Sequence, residues 1–130
     1  MKSRLIYWLT YAGMWLLALL PFKVLYILSD GLCFLMHHVV HYRRRVVRAN
    51  LCNAFPEKSA AELRDIEHEF YRYICDYMLE EVKMLRMSFK ELCRRMEYDN
   101  KEEYLAMIEK HGGIVLLIPH YANFEWITGM

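Results

Sequence analysis

"HGGIVLLIPHYANFEW", His111 to Trp126, marks a change of architecture along the chain. Gly112 and Gly113 end whatever helix precedes them, because glycine enters the left-handed C-cap without a Cβ penalty. Ile114 to Ile118 is then a uniformly apolar run rich in β-branched residues. That is the composition of a strand buried on both faces, and such strands belong to parallel sheets covered by helices. Pro119 stops the run, and Asn123 suits the N-cap of a helix holding Phe124, Glu125, Trp126 and Ile127. The stretch predicts a strand, a loop and a helix start, with His120 on the loop and Glu125 in the first helical turn. Open α/β proteins hold their sites on loops at the carboxyl ends of their strands.

The residues on that loop carry the candidate chemistry. Five steps along an ideal helix turn the chain by about 500°, which leaves His120 and Glu125 off a common face. The pair therefore works only if His120 lies before the helix and the chain folds back, so that Glu125 reaches the ring. A carboxylate on one imidazole nitrogen fixes the tautomer and raises the basicity of the other, as for a general-base histidine. The H-x4-E spacing alone arises often by chance, and its weight here comes from the strand, loop and helix around it.

Upstream, Asn100 can cap a helix over Lys101 to Lys110, with Glu103 at its third position. Further back, Pro56 breaks the helix that ends near Phe55, and Ser59 with Glu62 forms the sequence signature of a capping box. Leu63, Ile66, Phe70, Ile74, Tyr77, Met78, Val82 and Leu85 then recur at helical spacing between charged residues, which predicts an amphipathic helix of several turns. Its Tyr and Met side chains are read as core packing rather than as a ligand pocket.

The N-terminal part is of another kind. No charge occurs from Leu5 to Phe22, a length near the lower limit of roughly 17–25 residues for a membrane-crossing helix. Tyr7, Trp8, Tyr11 and Trp15 are bulky for a signal peptide, no small-residue cleavage site follows, and Tyr7 and Trp8 suit a membrane interface. The next apolar stretch, Val24 to Val40, contains Asp30, whose burial at a bilayer centre costs about 2.5–3.5 kcal/mol. It is expected to lie against the membrane or the rest of the protein. Lys2 and Arg4 precede the two stretches, and Arg43, Arg44, Arg45 and Arg48 follow them. Basic residues at both ends describe a hairpin turning near Pro21, whereas the stronger Arg cluster alone describes a single span. Both put residues 43–130 on the cytosolic side.

Composition agrees. The chain has 130 residues, 56% hydrophobic and 15% aromatic, more apolar surface than a soluble domain of that size absorbs. A net charge of +1 hides an asymmetry: residues 1–50 hold seven basic side chains against Asp30, about +6, and the remainder ten against fifteen acids, about −5. The basic end is also the apolar end, which suits lipid headgroups and argues against nucleic acid as a partner. Cys33, Cys52, Cys75 and Cys93 stand far apart, with no zinc-ribbon or disulfide signal, and are read as reduced packing residues.

Other features take plain readings. His37, His38 and His41 form H-H-x-x-H, with His37 and His41 at zinc-binding spacing, but His38 stands where a metalloprotease needs Glu and no third ligand is evident. The segment is read as a membrane-proximal helix, and neither metal nor cofactor is expected. The Arg43–Arg48 cluster reads as a solvated, headgroup-facing run, with docking of an acidic carrier protein as its second use. Glu80 is read as a solvated-face acid, and Arg94 and Arg95 as surface charges.

"HYANFEW" resembles the H-[FY]-[GA]-N-[WF]-E form of the H-x4-D/E motif of the bacterial lipid A biosynthesis acyltransferases, the late lauroyl and myristoyl transferases. "YRRRVVRANLCNAFPE" is similar to that family's R-R-x-V-x-x-N-L-x-x-x-F-P element. "EFYRYICDYMLEEVKML" is similar to its amphipathic helix, and "MEYDNKEEYLAMIEKHGGIVLLIPH" to its approach to the motif. The elements run in the family's order along almost the whole chain. The resemblance implies an α/β fold of the glycerol-3-phosphate-acyltransferase type, preceded by membrane-associated helices: residues 1–42 as a membrane-anchoring segment and 43–130 as the N-terminal part of the acyltransferase domain, itself mainly α. It implies transfer of a fatty acyl group from acyl carrier protein, or in relatives coenzyme A, to a hydroxyl of a lipid at the cytoplasmic face of the inner membrane. His120 would be the general base and Glu125 the residue that orients and charges it. The oxyanion donors and acyl pocket would lie beyond Met130, and residues 1–130 alone are expected to be inactive. Ala122 replaces the commoner Gly and Phe124 the commoner Trp, departures that bear on the pocket. Acylation of a lysophospholipid or aminolipid by the same chemistry is the enzymatic alternative. A helical membrane interaction protein, with His120 and Glu125 as surface groups, is the non-enzymatic one.

Overall fold

The computed structural model describes the backbone of residues 2–97 and 99–129 and the side chains of residues 3–97 and 99–127, so Lys2, counted among the flanking bases, lies outside the described side chains. The chain divides into two compact units, Met1–Leu85 and Arg86–Met130.

In the first unit, helix α1 spans Lys2–Leu19. Leu5, Ile6, Tyr7, Trp8 and Leu9 are 59–64% exposed. Five successive residues cover every face of a helix, so this half of α1 is bare all round, and among its described residues only Ala18, near its end, is fully buried. Pro21, extended at φ −60°, breaks the chain and starts helix α2, Phe22–Phe34. A proline is tolerated here because the first turn has no use for its missing N–H. Helix α2 runs into a π-helical turn, Leu35–Val40. Together they make the segment Phe22–Val40, long and apolar enough to cross a membrane by length and composition.

The rod ends at His41 and Arg43, both left-handed, at φ 54° and 50°. Each non-glycine residue there costs roughly 1–2 kcal/mol. The turn is held by bonds from outside: the Tyr42 N–H donates to the Met36 carbonyl at 3.0 Å, and the Tyr71 hydroxyl donates to the Tyr42 carbonyl. Helix α3 (Arg44–Ala54) follows, then helix α4 (Ala60–Met84). The start of α4 is as expected. The Glu62 N–H donates to Ser59 Oγ at 3.3 Å and the Ser59 N–H to Glu62 Oε2 at 2.8 Å, a complete capping box.

Helix α4 is the spine of this unit, with α1, α2 and α3 packed on it. Its pairing with α2 is antiparallel: Tyr26 meets Glu80, Met36 meets Cys75 and His37 meets Glu67. The buried line of α4 is Glu67, Tyr71 and Cys75. The expected apolar stripe is therefore rotated. Leu63, Ile66, Ile74 and Val82 are partly buried, but Phe70, Met78 and Leu85 are 39%, 48% and 50% exposed. Cys33, Tyr71 and Cys75 form the core, with Leu32, Met36, Val47 and Ile74 around it. Cys33 and Cys75 are the packing residues expected, whereas Cys52 is exposed. Burial pushes the Cys75 thiol up to about 11, so it is an inert packing group.

In the second unit, Ser88 caps helix α5, Phe89–Arg95, accepting from the Glu91 N–H at 3.2 Å. Helix α6 spans Lys101–His111 and ends on Gly112 in the left-handed region, φ 73°. Residues 114–118 form no strand, and none occurs among the described residues, so the chain as described is mainly helical. Exposure alternates along this run with the period of extended chain: Val115 and Leu117 are 88% and 91% exposed, Ile114 and Leu116 37% and 45%. A strand is completed by a neighbour's N–H and C=O groups, and no described segment supplies them. A 3-10 helix, Phe124–Gly129, packs against α5, and Leu92 and Trp126 are the buried residues of this unit among those described.

Candidate active site

His120 follows Pro119 on the loop before the 3-10 helix, as the sequence predicts. The loop folds back in two steps. The Tyr121 N–H donates to the Pro119 carbonyl at 2.9 Å, a tight turn of the γ kind. Ala122 then takes a left-handed conformation, φ 50°. The Asn123 carbonyl accepts from the Trp126 N–H at 3.0 Å and so opens the helix, which is of the 3-10 kind rather than α.

This reversal brings the exposed His120 ring onto Phe124, edge to face, with centroids 4.6 Å apart and planes at 64°. Glu125 is the next residue, half-buried in the first turn. The fold puts the two on one loop and helix start, and the ring's contact is with the residue between them. The His120 side chain is exposed, so its ring is accessible from solvent.

A second polar constellation lies in the first unit, and sequence reasoning missed it. Glu67, 3% exposed in its side chain, takes Arg44 Nε at 2.8 Å and His37 Nε2 at 3.1 Å on Oε1, and Arg48 Nε at 2.6 Å on Oε2. Burial alone would push the Glu67 carboxyl up, but hydrogen bonds from Arg48, Arg44 and His37 outweigh it and hold the group below the usual carboxylate range. Arg44, half-buried, and Arg48, still exposed, thus both reach a buried carboxylate, so these two members of the Arg run are not only a headgroup-facing surface. Glu80 is likewise half-buried and accepts from the Tyr26 hydroxyl at 2.6 Å, so it is no solvated-face acid. Lys83 Nζ donates to the Ala18 and Leu20 carbonyls at 2.8 and 2.7 Å, satisfying backbone acceptors at the end of α1. The signal for these roles was the unbroken helical spacing of Glu67 with Tyr71 and Cys75, hidden because an acid is counted as surface.

The comparisons with known proteins follow the same elements. The chain is 28% identical over 122 residues to the lipid A biosynthesis lauroyltransferase of Escherichia coli (strain K12), covering 92% of this chain and 40% of that protein. It therefore spans about two fifths of the length of the curated relative. No solved structure matches. The model of the bacterial lipid A biosynthesis acyltransferases matches residues 1–129, which takes in the apolar helices, the Glu67 cluster and the His120 loop alike. The chain belongs to the bacterial lipid A biosynthesis acyltransferase family.

Proposed function

We propose that this chain carries the base of an acyl transfer from acyl carrier protein to a hydroxyl of a lipid A precursor, at the cytoplasmic face of the inner membrane. The observation that supports it most is the position of His120: solvent-open, on a reversed loop, and inside the family's H-x4-E motif. In the reaction, His120 takes the proton of the acceptor hydroxyl as its oxygen attacks the thioester carbonyl. The tetrahedral intermediate collapses, the C–S bond breaks, and the imidazolium returns its proton to the leaving thiolate. Glu125 steadies the imidazolium once the His120 ring turns from Phe124 toward it, a rotation that an exposed side chain makes freely. The extended, uncovered run at 114–118 would become the first strand of an α/β domain once neighbouring strands covered Val115 and Leu117. The bare α1 and the Phe22–Val40 segment hold the protein to the bilayer, since a helix apolar on all faces has its favourable surroundings in lipid.

The test uses the protein as its gene encodes it, purified in detergent, with labelled acyl carrier protein and a lipid A precursor. A positioned base contributes about 10²–10⁴-fold, so His120→Ala is expected to lower transfer by that order. Because its side chain is exposed, the fold should be unchanged by circular dichroism. Transfer at the wild-type rate by the folded variant overturns the assignment.

A further inference from the structure

The geometry points to a divalent transition-metal site formed by His37, His38 and His68, binding zinc or a chemically similar ion. H-H-x-x-H suggests His37 with His41, but the left-handed cap turns His41 away, where its Nδ1 faces the Val39 carbonyl at 3.2 Å. The π-helical turn instead brings His38 toward His37, and α4 supplies His68 from across the unit. One ring nitrogen from each of His37, His38 and His68 lies within 4.8 Å of the others.

The proton positions favour a shared ion. The Glu67 carboxylate, paired with Arg44 and Arg48, is an acceptor, which favours the His37 tautomer with its hydrogen on Nε2, 3.1 Å from Glu67 Oε1. In a neutral ring the other nitrogen, Nδ1, then presents a lone pair. That atom lies 3.3 Å from His38 Nε2. A tetrahedral ion with nitrogen ligands at ~2.0–2.1 Å sets adjacent ligand atoms ~3.3–3.4 Å apart, the separation found here. A hydrogen bond between the two rings also fits this distance, and His68 packs edge-on against His37 at 5.8 Å between centroids, so the ion is distinguished by drawing one nitrogen of each of the three rings onto a common point.

The support around the site is that of a metal centre. The Glu67 carboxylate on His37 Nε2 is the carboxylate–histidine arrangement that orients a ligand ring and raises its basicity. Tyr71 packs on His37 at 5.0 Å between centroids and Phe34 on His38 at 5.0 Å, which limits both rings. His37 is buried, while His38 and His68 are exposed, so an ion has an entry path and a rotation of His68 completes the set. Water takes the fourth position. Arg44 and Arg48 oppose the added charge, and Glu67 balances one of them, which sets the affinity below that of a buried thiolate site. The ion would clamp the π-helical turn to α4.

Tag-free protein in detergent, stripped with a chelator, is titrated with Zn2+ against a chromophoric competitor, and with Co2+ followed by its visible absorption. One ion per chain is expected, with the intense visible bands of four-coordinate cobalt and a raised Tm. His38→Ala and His68→Ala, both at exposed positions, should weaken binding at least ~10-fold, and Glu67→Gln by ~10–100-fold, the range for an orienting partner. His41→Ala should leave it unchanged. Absence of binding below about 100 µM Zn2+, or full binding by folded His68→Ala, overturns the site. Equal loss in His41→Ala overturns the choice of ligands.

Discussion

Glu67→Gln tests the polar centre of the first unit. The side chain keeps its shape and its amide oxygen can still accept, but the NH2 then faces a donor and the charge between Arg44, Arg48 and His37 is gone. Removing one partner of a fully buried ion pair costs about 3–5 kcal/mol, because the other charge is left without water. Here the stranded charges are only partly enclosed, since the Arg44 and Arg48 side chains are 28% and 48% exposed. Both can turn to solvent, which lowers the expected loss to about 2–3 kcal/mol, the value of one or two charge-assisted hydrogen bonds. The pH dependence has a definite sign. The folded carboxyl is held below its unfolded value of about 4.3, so its contribution is complete above that pH and disappears as the pH falls through the folded value. Urea unfolding in detergent, followed by circular dichroism between pH 7 and pH 3, should show wild type well above E67Q at neutral pH and the two converging in acid. A difference under about 1 kcal/mol at pH 7, or two curves that stay parallel to pH 3, would refute the view that an ionised Glu67 holds α3 and the π-helical turn to α4.

Three further outcomes are expected. Glu125→Gln should slow acyl transfer, because an amide can hold an imidazole but cannot stabilise its charge, while Glu125→Asp should keep more activity; kcat for purified variants of the gene's full product decides it, and an undiminished rate in Glu125→Gln excludes the carboxylate. Ala122→Gly should stabilise the reversed loop by about 0.5–1 kcal/mol, since φ 50° strains alanine more than glycine. Slower amide exchange across residues 120–126 would show it, and faster exchange would contradict the left-handed turn. Leu9→Arg, at a side chain 64% exposed on α1, should weaken bilayer attachment by about 3 kcal/mol with the helix intact; unchanged pelleting with vesicles after a salt wash would mean that α1 does not enter lipid.

What was legible in the sequence follows the range of the forces involved. The capping box joins Ser59 to a residue three positions on, and Gly112 and Pro21 act on their own backbone, so all three were readable from neighbours. Even there, a side chain with an alternative could differ: Asn100 occupies the cap of α6 but its amide turns to Glu103 at 3.4 Å instead of capping. The links across the first unit are of another range. Arg48 meets Glu67 from 19 residues away and Tyr26 meets Glu80 from 54. Counting apolar positions favoured Phe70 and Met78 over Glu67 and Tyr71, because an acid and a phenol read as surface until their partners are known. The α4 stripe was therefore found at the right period and the wrong angle.

The same distinction governs the candidate active site. Spacing singles out His120 and Glu125 and requires the chain to fold back so that Glu125 reaches the ring; the chain does reverse at residues 119–122, but the ring packs on Phe124. Where the ring comes to rest depends on two residues that differ from the commoner pattern of the family the motif resembles. Ala122 stands where glycine is commoner, and it is the residue in the left-handed region, the conformation for which glycine is suited. Phe124 stands where tryptophan is commoner, and it is the residue that the His120 ring packs against. One substitution strains the turn and the other sets the surface on which the His120 ring rests. Both act on the direction in which His120 presents its nitrogens, so under the proposed reaction their effect would fall on how an acceptor hydroxyl is aligned rather than on the imidazole's capacity to take its proton.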